Sequence, residues 1–198
     1  QLSPPLVIGK GTIDTITEAT CQVTLTNGTI TRQGFGTVLL SHVWCWPEAT
    51  DIDKDLALRK ACETIAHRVA QQQPSDSLLG LGHTLISLSD QLLESIPPLA
   101  RRVCSAPLDN AIHDAAGCLA GCSSFELFAQ HGTSPFDATF PGFGAASAID
   151  SMLHPPKTFV DAQMVVGIKT TPEHVGDYCT SHNIRRLKIK IGSGDIES

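Results

Sequence analysis

Two lysines one residue apart, Lys188 and Lys190, are the side chains whose type and spacing best suit chemistry. They lie in residues 187–191, where apolar and basic residues alternate. This alternation predicts a β-strand with both ammonium groups on one face, about 6 to 7 Å apart along the strand. A positive charge beside Lys190, together with partial removal from water, favours its neutral amine and lowers its pKa. Because a neutral amine is a competent general base, the pair predicts proton transfer.

The chemistry of this pair depends on the sheet that contains it. Residues 163–168 form a short apolar run, and residues 172–183 are predicted to form a helix that opens at Thr171. A strand, a crossover helix and a second strand predict a parallel pair, which is normally covered on both faces. The lysines would then point into a barrel or cleft at the open carboxyl end of the strand. In an antiparallel sheet they would form an ordinary solvated face, and this alternative stays open.

A hairpin and an amphipathic helix are predicted upstream. Residues 20–36 alternate in polarity around Asn27-Gly28, a dipeptide that favours a type I′ turn. After Trp46-Pro47 the apolar residues recur at helical steps, and Asp53 is among the acidic residues suited to cap the helix. The apolar positions of this helix are Leu58, Cys62, Ile65 and Val69.

Two more helices are expected before the composition changes. The first covers residues 84–95 and stops at Pro97-Pro98, and the second covers residues 105–119 with Pro107 in its first turn. The second is rich in alanine, so another backbone can approach it closely. Residues 131–158 are rich in proline and glycine, which indicates a connector or an insertion.

The composition limits the classes of protein. A chain of 198 residues that is 41% hydrophobic and 17% charged is globular, not disordered or fibrous. The net charge of -6 predicts no nucleic-acid partner. The absence of an apolar run of about 18 residues, and of a basic segment leading into an apolar one, predicts neither a membrane anchor nor a secretion signal, and hence a cytoplasmic protein. The seven scattered cysteines predict reduced thiols.

Three stretches, taken in order, resemble one enzyme family. Residues 20–36 lead to a Gly-x-Gly segment, here Gly34-Phe35-Gly36; residues 109–117 form part of the alanine-rich helix; and residues 187–192 contain Lys-x-Lys. Together they resemble the N-terminal hairpin, the helix closing the capping region and the second barrel strand of the enolase superfamily. The likeness is to its mandelate racemase and muconate lactonizing enzyme branch, and it covers nearly the whole chain apart from the connector.

The resemblance implies an α+β capping domain followed by the first strands of an α/β barrel of the (β/α)8 type. We expect the capping domain at residues 1–132, a connector at 133–158 and the start of the barrel at 159–198. A complete (β/α)8 barrel needs roughly 250 residues. The sequence is therefore expected to be truncated, either as the N-terminal part of a longer enzyme or as a product without activity of its own.

The resemblance also implies that the enzyme abstracts the proton α to a substrate carboxylate and that Mg²⁺ stabilises the enolate. Lys190 would be the acid/base, and Lys188 would lower the pKa of Lys190 and lie near the carboxylate. The magnesium ligands are expected beyond residue 198, with none in this chain. Residues 2–11 and 41–46 would be cap loops over a small carboxylate substrate, placing Trp44 and Trp46 near it. Hydrophobic packing within the cap is the alternative for both tryptophans.

These implications favour an isomerase or lyase, and a racemase or epimerase in particular, because Lys-x-Lys rather than Lys-x-Arg ends the strand. An acid-sugar dehydratase or a cycloisomerase is the nearest alternative within the superfamily. An inactive truncated module that binds a partner through apolar surface is the alternative from another class. A homo-oligomer is compatible with each of these interpretations.

Overall fold

The computed structural model describes residues 6–8, 11–48, 52–72, 78–130, 142, 151, 159–167 and 170–189. The predicted connector therefore lies outside the described residues, apart from Gly142 and Ser151. The elements in chain order are β1 (Leu6–Ile8), β2 (Gly11–Ile13), β3 (Thr17–Thr26), β4 (Thr31–Leu40), α1 (His42–Cys45), α2 (Lys54–Val69), α3 (Leu78–Leu92), α4 (Pro98–Ala120), α5 (Ser124–Gln130), β5 (Gln163–Val166), α6 (Pro172–Ser181) and β6 (Arg186–Ile189).

The chain divides into two compact units. One contains Thr15–His154, and the other combines Leu2–Asp14 with Pro155–Ser198. Residues 2–14 thus group with the C-terminal segment, whereas the sequence analysis assigned them to the capping domain. The described strands form two-stranded sheets and do not close into a barrel. Of the helices in the described ranges, none is long and apolar enough to cross a membrane.

The larger unit begins with the antiparallel hairpin of β3 and β4. The predicted hairpin is confirmed, but the predicted two-residue turn is wrong, because four residues connect Thr26 to its partner Thr31. Asn27 Oδ1 accepts hydrogen bonds from the backbone N–H of Thr29 at 3.1 Å and of Ile30 at 2.9 Å. These bonds fix a longer loop than the dipeptide suggested.

The helices of this unit follow signals that the sequence contains, although two helices differ from the prediction in where they begin or end. Asp53 caps α2 by accepting a hydrogen bond from Leu56 N at 3.0 Å. The next helix is Leu78–Leu92 rather than 84–95, and the alanine-rich helix starts at Pro98 rather than near residue 105. Pro107 therefore lies inside α4 and not in its first turn. A proline at the first helical position does occur, but it is Pro98.

The core of this unit lies between the hairpin and the helices, with α4 at its centre. Helix α4 contacts β3, β4, α1, α2, α3 and α5. The predicted apolar positions of α2 are confirmed, since Leu58 and Ile65 are buried and Cys62 and Val69 pack against the core. The buried cluster consists of Leu40, Cys45, Trp46, Leu58, Ala61, Ile65, Leu85, Leu93, Ile96, Ala100, Val103, Cys104, Leu108 and Ile112.

The smaller unit contains two sheets in its described part. Strands β1 and β2 form a short antiparallel pair. Strands β5 and β6 are parallel and are connected through α6, which confirms the predicted strand, helix, strand order. This parallel pair positions the lysine-bearing strand.

Candidate functional site

The segment leading to the lysine strand is fixed by helix caps. Thr171 caps α6 by accepting a hydrogen bond from His174 N at 3.3 Å, and Pro172 occupies the first helical turn. At the other end Asn183 adopts a left-handed conformation with φ of 51°, and Ile184 N donates to Cys179 O at 2.9 Å. Asparagine tolerates this conformation better than most residues. The helix therefore stops and the chain enters β6.

The parallel register places Lys188 next to Val165. Directly paired residues in a parallel sheet share a face, and side chains alternate between faces along each strand. Lys188 and Val165 therefore lie on one face, and Leu187 and Ile189 lie on the other. This is the alternation that the sequence predicted.

Among the residues that the structure describes, none covers either face of β6. Lys188 is exposed, and the neighbouring Val165 is 47% exposed. Ile189, on the opposite face, is 66% exposed. Lys190 lies outside the described residues, so the structure places one member of the lysine pair and not the other.

A second cation shares the face of Lys188. Arg186 lies two residues earlier on β6 and forms an ion pair with Asp161, with 2.7 Å between Nη2 and Oδ2. Both side chains are well exposed, so the pair contributes at most about 1 kcal/mol. Because Asp161 engages Arg186, the Lys188 ammonium is, of these two cations, the one that suits an anionic ligand such as a carboxylate.

Two of the three stretches that resemble the enolase superfamily contact each other directly. A Cβ atom built on Gly34 would overlap the backbone of Ala111 and Ala115, and one on Gly36 would overlap the backbone of Pro107 and Ala111. The Gly-x-Gly segment thus lies against the backbone of α4, which is the close approach expected of an alanine-rich helix.

A hydrogen bond also joins β4 to α4 at this contact. Phe35 N donates to Asp114 Oδ2 at 2.9 Å, so a carboxylate on α4 accepts from the strand between the two glycines. Sequence analysis included Asp114 within residues 109–117, as part of the alanine-rich helix, without a function of its own. The structure gives it a positioning function in the hairpin and helix contact.

The two tryptophans differ sharply in exposure. Trp46 is 4% exposed and belongs to the buried core, which is the packing alternative raised for it. Trp44 is 55% exposed on the short helix α1. Lys54 Nζ donates to Trp46 O at 3.0 Å and also to Glu48 O, which ties the residues after α1 to the start of α2. Trp44 is therefore the tryptophan that could meet a ligand.

Sequence reasoning did not predict that the thiols of Cys62 and Cys104 are neighbours. The Cys104 thiol on α4 donates to Leu58 O on α2 at 3.6 Å. A hydrogen bond between the thiols of Cys62 and Cys104 lowers the pKa of Cys62 and, together with burial, raises the pKa of Cys104. The helical spacing of Cys62 with Leu58 was visible in the sequence, but no local pattern pointed to Cys104 as its partner.

No metal centre is formed by the residues that the structure describes. Among them, no group of three or more His, Cys, Asp and Glu side chains is arranged to hold a metal ion. The described residues therefore do not fit a magnesium site by themselves. Comparisons with protein families, with curated proteins and with solved structures found no match for this chain.

Proposed function

We propose that this chain forms part of an enzyme that removes the proton α to the carboxylate of a small acid. Lys190 acts as the acid/base, and Lys188 binds the carboxylate and favours the neutral amine of Lys190. The reaction is that of a racemase or epimerase of the enolase superfamily. Elimination by an acid-sugar dehydratase, or a cycloisomerase reaction, is the alternative outcome after the same proton is removed.

The observation that carries this proposal is the position of Lys188 in a parallel strand. It occupies the second strand of a strand, helix, strand unit, two residues before Lys190 and beside Val165. Active sites of parallel α/β barrels lie at the carboxyl ends of their strands. The contact between Gly34-Phe35-Gly36 and α4 lends further support, because it joins the two other stretches on which the resemblance rests.

Magnesium and the cellular setting belong to the same proposal. Mg²⁺ would supply electrostatic stabilisation of the enolate, with ligands from outside the described residues. The abundance of unpaired cysteines favours a reducing compartment, and the proposal therefore includes a cytoplasmic location. A small carboxylate is the proposed substrate.

Isotope exchange tests the proton transfer. The longest natural chain that contains these residues is incubated with Mg²⁺ and a set of small carboxylic acids in deuterated water, and mass spectrometry follows exchange at the α-carbon. We expect exchange with at least one acid and a loss of about 10²–10⁴-fold in Lys190→Ala. Exchange that persists in Lys190→Ala, or its absence from the unmodified chain throughout the set, would contradict the proposal.

Two variants on the same strand separate the functions of its cations. Lys188→Gln removes the positive charge beside Lys190, which should raise the pKa of Lys190. The neutral amine then forms only at higher pH, so the acidic limb of the pH–rate profile should shift to higher pH. Arg186→Gln is the matched control, because Arg186 shares the face but pairs with Asp161. It should leave both the rate and the pH profile unchanged.

A binding module is the second candidate, and exposed apolar residues on the parallel pair favour it. Leu187 and Ile189 lie on one face of β6 and are 45% and 66% exposed. Apolar side chains grouped in this way mark interaction surfaces. If the exchange experiment gives no signal while Ile189→Lys abolishes a concentration-dependent association seen by analytical ultracentrifugation, the binding function is supported and the enzymatic one is not.

A further inference from the structure

The contact between α2 and α4 brings a half-buried and a buried cysteine together. Cys104 is 1% exposed, and its Sγ lies 3.6 Å from the backbone oxygen of Leu58. Cys62 lies one helical turn after Leu58 on α2 and packs against the core cluster that contains Cys104. The two cysteines come from different helices and are far apart in sequence, so only the fold pairs them.

Helix geometry puts the two sulfurs side by side. A helical side chain covers the turn on the N-terminal side of its own Cα, and residues four apart share a face. The Cys62 side chain therefore lies over the turn that starts at Leu58, where Cys104 Sγ is seated. The lowered pKa of Cys62, whose largest cause is the neighbouring Cys104 thiol, agrees with this placement.

The two thiols differ in access to solvent and in reactivity. Cys62 is only partly buried, and its thiolate is favoured because the neighbouring thiol lowers its pKa. Burial raises the pKa of Cys21 and of Cys45, which makes both poorer nucleophiles. Cys62 is thus the half-exposed thiol of this group that a small oxidant can reach in its reactive form.

We propose that Cys62 and Cys104 form a reversible disulfide when the protein meets a hydroperoxide. The Cys62 thiolate attacks the outer peroxide oxygen, the O–O bond breaks, and the hydroperoxide is reduced to its alcohol or to water. Cys62 becomes a sulfenic acid. The Cys104 sulfur then attacks the Cys62 sulfur, and the hydroxyl group leaves as water with the Cys104 proton. In total two thiols lose two electrons and two protons, and the peroxide gains them.

This inference is independent of the lysine pair, because the reaction joins α2 to α4 within the larger unit. A thiol reductant reverses it by exchange. The bond therefore makes the packing of these two helices dependent on the redox state of the surroundings.

Peptide mapping tests the proposal on the unmodified full chain. The reduced protein is treated with hydrogen peroxide, remaining thiols are blocked, and disulfide-linked peptides are identified after proteolysis. We expect the Cys62 and Cys104 peptides as the main linked pair, with a mass loss of about 2 Da that dithiothreitol restores. A different main pair, or oxidation of exposed Cys118 while Cys62 and Cys104 stay reduced, would overturn the proposal.

Variants resolve the order of the two steps. In Cys104→Ala the sulfenic acid on Cys62 should persist and be trapped by dimedone, at least about ten-fold more than in the unmodified chain. Cys62→Ser should abolish the linked pair. Cys118→Ser is the matched control on α4 and should leave the pair unchanged. Sulfenic acid appearing first on Cys104 would contradict the proposed order, and the mapping of the unmodified chain does not depend on how the variants fold.

Discussion

At the scale of single residues, the contact between the hairpin and α4 depends on the absence of side-chain atoms. A Cβ on Gly36 would overlap backbone atoms of Pro107 and Ala111, and backbone atoms cannot turn aside as a flexible side chain can. Adding one methyl group therefore forces the strand and the helix apart. The requirement for glycine at Gly34 and Gly36 is steric, and it explains why the strand is buried at these two positions.

We therefore expect Gly36→Ala to lower the free energy of unfolding by about 1–3 kcal/mol, the usual cost of overpacking. Urea unfolding followed by circular dichroism measures it. Gly82→Ala in α3 is the control, since its Cβ would make an ordinary contact of 3.6 Å with Asp109 Oδ1. It should be neutral or stabilising by up to about 1 kcal/mol, because alanine favours helix. Equal stability of the two variants would refute the close contact.

At the scale of elements, α3 and α4 are joined by a polar network as well as by packing. Asp90 on α3 accepts from Arg102 Nη2 at 2.7 Å and from Arg101 Nη1 at 3.3 Å. Hydrogen bonding to Arg102, followed by its charge and by Arg101, lowers the pKa of Asp90. The carboxylate is 42% exposed, so solvent screens much of this interaction.

The lowered pKa gives the stability of this unit a defined pH dependence. A carboxyl group with a lower pKa in the folded state contributes stability above its unfolded value, near 3.9, and that contribution is lost as the pH falls through the folded pKa. Asp90→Asn should therefore lower the free energy of unfolding by at most about 1 kcal/mol at pH 7. At pH values below the folded pKa of Asp90 it should have no effect. Thermal unfolding between pH 7 and pH 2 measures the difference.

Glu94→Gln, two residues after the end of α3, provides the matched substitution. Arg101 Nη2 contacts Glu94 through the backbone oxygen at 3.0 Å, which the substitution preserves. Its stability should follow that of the unmodified chain at each pH. A gap between Asp90→Asn and the unmodified chain that stays constant with pH would show that Asp90 acts through packing and not through charge.

The order of elements could be predicted from local patterns, whereas their boundaries could not. Alternating polarity predicted the hairpin, and the helical spacing of Leu58 and Ile65 predicted α2. Pro97-Pro98 was interpreted as a helix stop, but proline also suits the first turn of a helix, and α4 begins there. The start of this helix was predicted too late because Pro107 was assigned to the first helical turn. A proline inside a helix is accepted only where tertiary packing offsets its cost, and no local sequence pattern shows this.

At the scale of the whole molecule, the two units differ in how completely they bury apolar residues. The larger unit has a continuous core around α4. In residues 159–167 and 170–189 of the smaller unit no residue is buried, and Phe159 and Val160 are more than 85% exposed. The alternation of residues 187–191 was enough to predict which face Lys188 occupies. Whether that face is covered depends on what packs against it, and no spacing within the strand encodes this.

The same difference predicts two levels of local stability. Backbone amides exchange through local opening of the structure. The free energy of this opening ranges from near zero in poorly packed segments to the free energy of global unfolding in cores. We expect backbone amides in the middle of α4 to exchange at least about 100-fold more slowly than those of α6, although only α6 has a side-chain cap at its N-terminus. Exchange followed by mass spectrometry of peptic peptides measures both helices in one sample.

The dependence of this contrast on protein concentration then separates the proposed functions. If the parallel pair binds another copy of the chain through Leu187 and Ile189, protection of β6 should rise with protein concentration, and Ile189→Lys should abolish the rise. If the pair instead serves an active site, a carboxylate ligand should protect β6 at constant protein concentration. Equal protection of α4 and α6 in dilute solution would contradict the contrast itself, because α6 would then need a cover that the described residues do not provide.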